Sequence, residues 1–419
     1  MKFTFNNILS SFLLLCSIYF LIDFLSSAKK NQDLKIDQAE LNNIKYGIFN
    51  IDVWKDNFAV IISDKIKEFE LKAENKKIFK EKIETILYQI IDKIDHSIRE
   101  KNSASIFGLF KQVFTDIFLD INLLRDEVPD LAEIIINELD DDRFKNNIKA
   151  SILEQLDKYV ASTVSETDMR LFNNILLKYN ANNKEVCLNY LDEAITINNK
   201  AILLDVIFIL SFALIIFILL IPILASNTGF EMLILIMTSL VLLIGGVITP
   251  MIEIEAKITD LSFTLIGTEI SFTDQIIYFQ SKSILDVVVI LMNERDVLMI
   301  ITGALIFSFS ILFPVLKLSS LCVYFKNFKN LRKHRLIKFF ALRSGKWSMA
   351  DVFVVAIFMA YIGFNGIVNN QMLQLNRSNE TYEVLTTNGT NLQFGFYLFL
   401  LFCISGLFIA HRIDKKIRV

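Results

Sequence analysis

The sequence predicts an all-α polytopic membrane protein with six transmembrane helices, a periplasmic helical domain and a small periplasmic β-ribbon. Hydrophobic residues make up 53% of the 419 residues, and they gather into blocks. These blocks have the length that a helix needs to cross a membrane, about 20 residues. Charged residues still make up 21% of the chain, so a sizeable part must face water. The chain has 13 glycines and 4 prolines, which favours long helices with few breaks.

Composition and residue spacing also exclude several classes of protein. The formal net charge of −3 does not indicate a nucleic-acid partner. The four cysteines lie far apart without a C-x-x-C pair, and the three histidines are widely separated. Neither a zinc site nor a disulfide framework is therefore predicted. The sequence contains no phosphate-binding loop and no nucleophile–base arrangement, so we predict no enzymatic activity, no cofactor and no bound metal.

The first segment, residues 1–27, is predicted to be an N-terminal transmembrane anchor or a signal peptide. Residues 8–25 carry no charge except Asp23. The small residues Ser26, Ser27 and Ala28 follow, in a pattern that a signal peptidase could cleave. Both alternatives place the next segment on the outer side of the membrane.

Residues 28–200 are predicted to form a periplasmic helical domain. Apolar residues recur at helical spacing in residues 83–94 and again in residues 144–160. A segment of about 170 residues with ordinary apolar content can bury a core of its own. Its charged residues show no catalytic grouping.

The remaining elements follow from changes in the period of the apolar residues. Residues 201–225 are predicted to be a transmembrane helix, and residues 226–419 a four-span module. Alternating Ile and Glu residues open an outer β-ribbon at residues 251–272, which a helix at residues 276–291 follows. A further strand is predicted at residues 382–385. The four spans of the module are predicted at residues 227–250, 297–325, 345–368 and 392–410.

Basic residues predict the orientation of the chain. Residues 326–346 and 411–419 are rich in Lys and Arg, and short segments of this kind stay in the cytoplasm. Two predicted spans separate these segments, so they agree with each other. Counting back through six spans places both termini in the cytoplasm and residues 28–200 in the periplasm.

Two charged residues inside predicted spans are candidate functional residues. Lys317 lies roughly 12 Å from the end of its span at helical rise, and Asp351 lies in the first turn of the next span. Lys317 could instead extend its long side chain to the cytoplasmic interface. Asp351 could instead close a capping box with Ser348. The third alternative is a buried ion pair, which costs less than either charge alone and can exchange a proton.

Polar residues of the same spans extend this candidate site. Ser310 and Lys317 are seven residues apart and share a helix face. Pro314 cannot donate a hydrogen bond to the Ser310 carbonyl, which leaves an acceptor free inside the bundle. Thr302, Asn365 and Cys403 are either extensions or simple helix-contact residues. The predicted transport network consists of Lys317, Asp351, Ser308, Ser310, Pro314 and Ser405.

Two sequence elements of this region resemble the paraquat-inducible protein A (PqiA) family. Residues 313–318, Phe-Pro-Val-Leu-Lys-Leu, resemble the Pro-x-x-Lys-Leu end of one family span. Residues 347–353, which begin with Trp347 and Ser348, resemble the Trp-Ser-Met-x-Asp-Val-Phe start of the next. Thr249-Pro250 resembles the end of the first span of the family module. The similarity covers about residues 228–412, a single tetraspanin-like module without the zinc ribbons of better-known members.

The resemblance implies a bacterial inner-membrane protein. Better-known members of the family work with MCE (mammalian cell entry) domain proteins that carry lipids between the inner and outer membranes. The resemblance thus implies membrane lipids as ligands and an MCE-domain periplasmic protein as a partner. It predicts a subunit of a lipid-trafficking system that loads or releases lipid. A Lys317–Asp351 pair could couple this step to protons. Two alternatives stay open: a membrane-anchored periplasmic sensor or scaffold, and an ion or small-solute transporter.

Overall fold

The computed structural model describes a mostly helical chain with one small antiparallel sheet. Four helices of the described part are long and apolar enough to cross a membrane: Phe5–Leu41, Lys184–Leu220, Gly229–Ile248 and Val297–Val323. The last two predicted spans correspond to shorter apolar stretches, Val354–Asn370 and Phe394–Ile409. A multi-pass protein is therefore supported, with four of the six predicted spans. The described residues are 5–50, 52–57, 60–61, 76–99, 125–126, 128–130, 132–133, 168–220, 229–265, 268–326, 334–340, 350–375, 377–378 and 382–417.

The longer described helices are numbered here in chain order. A π-helical turn, Ser308–Leu312, joins α7 to α8, and short helical turns lie at Ile44–Tyr46 and Arg335–Lys338. The helices are α1 (Phe5–Leu41), α2 (Lys76–Arg99), α3 (Arg170–Lys178), α4 (Lys184–Leu220), α5 (Gly229–Ile248), α6 (Ile284–Asn293), α7 (Val297–Phe307), α8 (Phe313–Lys326), α9 (Ala350–Leu375) and α10 (Phe394–Ile417).

Helices α1 and α4 form an antiparallel pair that continues beyond the apolar spans. Neither helix contains Gly or Pro, so nothing in the sequence breaks them at residues 28 and 200, the predicted domain boundaries. Ala28 is buried in the apolar core of the bundle. The pair therefore joins the predicted outer domain to the spans without a linker. Three contacts follow it outward: Phe20 stacks on Phe208 with ring centroids 4.7 Å apart, Asn31 donates to Asn199 at 2.9 Å, and Gln38 donates to Asp192 at 2.5 Å.

Helix α5 lies at the centre of the helical bundle. It packs against α1, α4, α8 and α10, and 72% of its 18-residue apolar stretch is buried. Two adjacent glycines permit this close packing. A Cβ atom on Gly246 would lie 2.7 Å from the backbone nitrogen of Phe399 on α10, and one on Gly245 would lie 2.9 Å from a methyl carbon of Leu398. Both glycines therefore set the distance between α5 and α10.

The sheet lies between α5 and α10 in the chain and contains five strands. Strand β1 (Ile252–Leu265) pairs on one side with β2 (Thr268–Lys282) and on the other with β4 (Tyr382–Asn388). The short strand β3 (Arg377–Ser378) adds to β4, and β5 (Asn391–Leu392) pairs with the start of β1. The ribbon predicted at residues 251–272 is thus part of a larger sheet, and the strand predicted at residues 382–385 is confirmed.

The helix predicted at residues 276–291 is wrong in its first half. Strand β2 continues to Lys282, which pairs with Ile252 of β1. Helix α6 begins only at Ile284, because Ser283 and Asp286 form a capping box that fixes its start. The helical prediction for residues 83–94 agrees with α2. The predictions at residues 144–160 and at the turn near residue 226 lie outside the described residues.

Candidate functional site

The predicted network residue Ser310 lies in the π-helical turn of the span that α7 and α8 form. In this turn the Phe313 N–H donates to the Ser308 carbonyl, five residues back. The next residue, Pro314, has no N–H, so the regular helical bond to the Ser310 carbonyl cannot form. Ser310 is fully buried, and its hydroxyl has no hydrogen-bond partner within the described part of the chain. Turns of this kind are frequent at functional sites.

Other predicted polar residues have hydrogen-bond partners, either in their own helix or on a neighbouring element. The Ser308 hydroxyl donates to the Ala304 carbonyl of its own helix at 2.7 Å. Ser405 of α10 is buried, and its hydroxyl lies 3.2 Å from that of Ser239 on α5, a residue that the sequence analysis missed. The Thr302 hydroxyl donates to the Leu298 carbonyl at 2.8 Å, and the Asn365 side chain accepts from Asn388 of β4 at 2.7 Å.

The structure places Lys317 and the start of α9 beside one apolar cluster. Lys317 is half-buried on α8. Its neighbours Leu318 and Leu321 belong to the same buried cluster as Val354 of α9. Asp351 lies three residues before Val354, in the first turn of α9. The side chain of Asp351 lies outside the described residues, as do Trp347 and Ser348, so their contacts stay predictions.

Pro250 closes the membrane bundle at its sheet end. It follows α5, and its carbonyl accepts a hydrogen bond from the Gly395 N–H at the start of α10, at 3.1 Å. A Cβ atom on Gly395 would lie 2.6 Å from the same carbonyl oxygen. Pro250, a predicted motif residue, therefore links the end of α5, the start of β1 and the start of α10.

A second candidate site, which the sequence analysis did not predict, lies where α1, α4 and the sheet meet. It is a half-open cavity of about 620 Å³, which we name the charged cleft. Its volume lies within the range of small-molecule sites, about 300–1,000 Å³. The lining carries the lysines Lys35, Lys184 and Lys257 and five acids, among them Glu253, Glu255 and Asp274.

Two ion pairs use part of the charge in the cleft. The Lys35 ammonium lies 2.8 and 2.9 Å from the two carboxylate oxygens of Glu253 and ties α1 to β1. The Lys257 ammonium lies 3.0 Å from Asp274, so β1 and β2 are also tied together. These pairs leave an excess of carboxylates in the lining.

Two further charges of the cleft have no such partner. Within the described residues, the Lys184 ammonium and the Glu255 carboxylate make no ion pair or hydrogen bond. Burial lowers the pKa of Lys184 and raises the pKa of Glu255, because each charge has lost water without gaining a direct counter-ion. A Cβ atom on Gly389 would lie 3.0 Å from a carboxylate oxygen of Glu255, so this glycine leaves room for the carboxylate.

The sequence of β1 contains a pattern that could have predicted the sheet side of the charged cleft. Glu253, Glu255 and Lys257 alternate along β1, which places their side chains on one face of the sheet. The alternation predicts a ribbon, and three charges on one face of it also predict a polar contact surface. The residues of α1 and α4 that complete the cleft carry no comparable signal.

Comparison with known proteins bears on the membrane module. Residues 279–372 match the model of the family described as Paraquat-inducible protein A. This segment is PqiA-like. The PqiA-like segment contains the π-helical turn, Lys317 and the start of α9, so the resemblance is confirmed there. No curated protein matches the chain, and no solved structure matches it. The charged cleft lies outside the matched segment except for Phe279 at its edge.

Proposed function

We propose that this chain is an inner-membrane subunit of a lipid-trafficking system between the inner and outer membranes. It loads or releases lipid, and Lys317 and Asp351 couple that step to protons. The observation that carries the proposal is the buried Ser310 in a π-helical turn inside the PqiA-like segment. An MCE-domain periplasmic protein is the proposed partner.

The physical support comes from the cost of polar groups in a membrane. An ionisable side chain within a span is expensive, and such residues commonly mark proton relays or substrate pathways. The π-helical turn adds the buried Ser310 hydroxyl, which has no partner among the described residues, seven residues before Lys317 in the same span. The π-helical turn of this span also contacts α9, the helix that carries Asp351.

The test follows phospholipid between membranes in cells that lack the chromosomal copy. Phospholipids are pulse-labelled with radioactive acetate, the two membranes are separated, and the outer-membrane label is followed with time. We expect slow transfer without the chain and with Ser310→Ala, Lys317→Met or Asp351→Asn. Ser308→Ala is the matched control, because the Ser308 hydroxyl bonds to its own helix. It should transfer lipid normally.

The double variant tests the coupling. If Lys317 and Asp351 act as one unit, removing one partner leaves an uncompensated charge that typically costs about 3–5 kcal/mol. The double change should then be no worse than the worse single change. Normal lipid transfer in cells without the chain would refute the trafficking role. Mild, additive effects at normal protein abundance would refute only the coupled pair.

A second candidate function is a membrane-anchored periplasmic sensor. The observation that favours it is the unbroken α1–α4 pair, which connects the charged cleft to the spans. In this case, deletion of the chain would change the transcription of specific genes and leave the transfer of labelled phospholipid unchanged. The same cells and the same labelling experiment therefore separate the two functions.

A further inference from the structure

The charged cleft has two walls that carry opposite charges without partners. Lys184 lies on the first turn of α4, and Glu255 lies on β1. Both line the same cavity, and neither makes an ion pair within the part of the chain that the structure describes. The carboxylate that acts on Lys184 is Asp274, which already pairs with Lys257.

The energetics of these charges favour a bound ligand. A half-buried charge without a counter-ion is less stable than the same charge in water, and a ligand that supplies the opposite charge recovers this loss. A cation would be stabilised beside Glu255, and an anion beside Lys184. A ligand with both charges satisfies both walls at once. The excess of carboxylates in the lining favours a strong positive end.

We propose that the charged cleft binds a zwitterion of the phosphoethanolamine type, with its ammonium group at Glu255 and its phosphate at Lys184. Carboxylates accept hydrogen bonds from a primary ammonium group, and lysine binds phosphate as a point charge. A choline group has no N–H to donate and is usually held by several aromatic rings. Phe279 is the one aromatic residue of the lining within the described residues.

Two sources could supply this group. One is the headgroup of an ethanolamine phospholipid, and the other is soluble glycerophosphoethanolamine. The headgroup source rests on the proposed lipid-trafficking function, whereas binding of the zwitterion does not. A smaller cavity shares Lys35 and Glu253 with the cleft and reaches Phe24, in the middle of α1, and Phe394, at the start of α10. The cleft is therefore close to the level at which headgroups lie.

The test uses the full chain in nanodiscs of phosphatidylcholine, with glycerophosphoethanolamine titrated by calorimetry. We expect saturable binding of glycerophosphoethanolamine and at least tenfold weaker binding of glycerophosphocholine. The variants Glu255→Gln and Lys184→Met should each bind glycerophosphoethanolamine at least tenfold more weakly than the wild type. The matched control is Lys178→Met, which removes a lysine that pairs with Asp37 outside the cleft. This control should bind like the wild type. Thermal unfolding of each variant shows that it is folded.

Nanodiscs of phosphatidylethanolamine then identify the source. Weaker apparent binding of the soluble probe in these nanodiscs means that bilayer headgroups compete for the cleft, and unchanged binding means that the soluble compound is the ligand. Both results support the zwitterion site. Absence of saturable binding in phosphatidylcholine nanodiscs, or equal affinity for the choline compound, overturns it. Neither result depends on whether Lys317 variants transfer lipid, so the two proposals fail independently.

Discussion

The ion pair between Lys35 and Glu253 should decide how firmly α1 is docked on the sheet. It is the more buried of the two ion pairs in the cleft: the Lys35 side chain is 19% exposed and the Glu253 side chain 8%. Near it, the Gln32 side chain donates to the Ser281 carbonyl at 2.8 Å. We predict that Lys35→Met and Glu253→Gln each loosen this docking.

The size of the effect follows from burial and geometry. Removing one partner of a buried pair typically costs about 3–5 kcal/mol, because the other charge is left without compensation. Lys35 retains some contact with water, so we expect the lower end, about 3 kcal/mol. Since each 1.4 kcal/mol is a factor of ten, the open population should rise by about a hundredfold. Replacing both residues with Met should cost less than either single change.

One backbone amide reports this opening directly. The Ile276 N–H of β2 donates to the Asn42 carbonyl just beyond the end of α1, at 2.7 Å, so it is protected only while helix and sheet stay together. Hydrogen–deuterium exchange at Ile276 should therefore accelerate by about a hundredfold in either single variant.

The control is the second ion pair of the cleft. Lys257→Met breaks the pair with Asp274, whose side chains are 28% and 57% exposed. Exposed pairs are worth about 0–1 kcal/mol, so exchange at Ile276 should change by less than about fivefold. If Lys35→Met and Glu253→Gln change the exchange no more than this control does, the Lys35–Glu253 pair does not hold α1 on the sheet.

Three further predictions concern packing, pH and orientation. Gly246→Ala should lower the melting temperature in detergent, because its Cβ would lie 2.7 Å from the backbone of α10, whereas Gly366→Ala, with open space around it, should not. Burial raises the pKa of Glu255 above 4.5, so its ionisation opposes folding at neutral pH. Glu255→Gln should therefore raise the melting temperature at pH 8, and this gain should vanish below pH 4.5; a gain that persists in acid would contradict the assignment. A cysteine at position 260 should be labelled from outside intact cells and one at position 335 only after permeabilisation; the reverse pattern would overturn the predicted topology.

Local patterns in the sequence predicted the elements whose structure is set locally. The strand at residues 382–385 and the apolar helices followed from period and composition. The distortion near Ser310 could also be predicted, because a proline such as Pro314 removes a specific backbone donor wherever it stands in a helix. The first half of the helix predicted at residues 276–291 failed because Ile276, Ile277, Tyr278 and Phe279 form an apolar run that fits either period. These residues form a strand because β2 pairs with β1, its neighbour in the sheet.

The charged cleft could not be predicted for a different reason. Lys35 and Glu253 are far apart in the chain, and the antiparallel docking of α1 and α4 brings the first of them to the sheet. Lysine and glutamate in these segments look like ordinary solvent-facing residues. Their roles depend on which helix covers the polar face of β1, and no local pattern fixes that arrangement.

Helices α1 and α4 are continuous, so a tilt of their apolar part also moves their outer ends. At 1.5 Å per residue, a helix of 37 residues is about 55 Å long, while the hydrocarbon core of a bilayer is about 30 Å thick. About 25 Å of each helix therefore extends beyond the core, and neither helix contains a glycine or proline hinge. Tilting the pair by about 10° within the membrane displaces its outer end by roughly 4 Å. Gln38 and Asp192 lie near that end and line the charged cleft. A small rotation of the spans would therefore move this wall of the cleft by more than the length of a hydrogen bond.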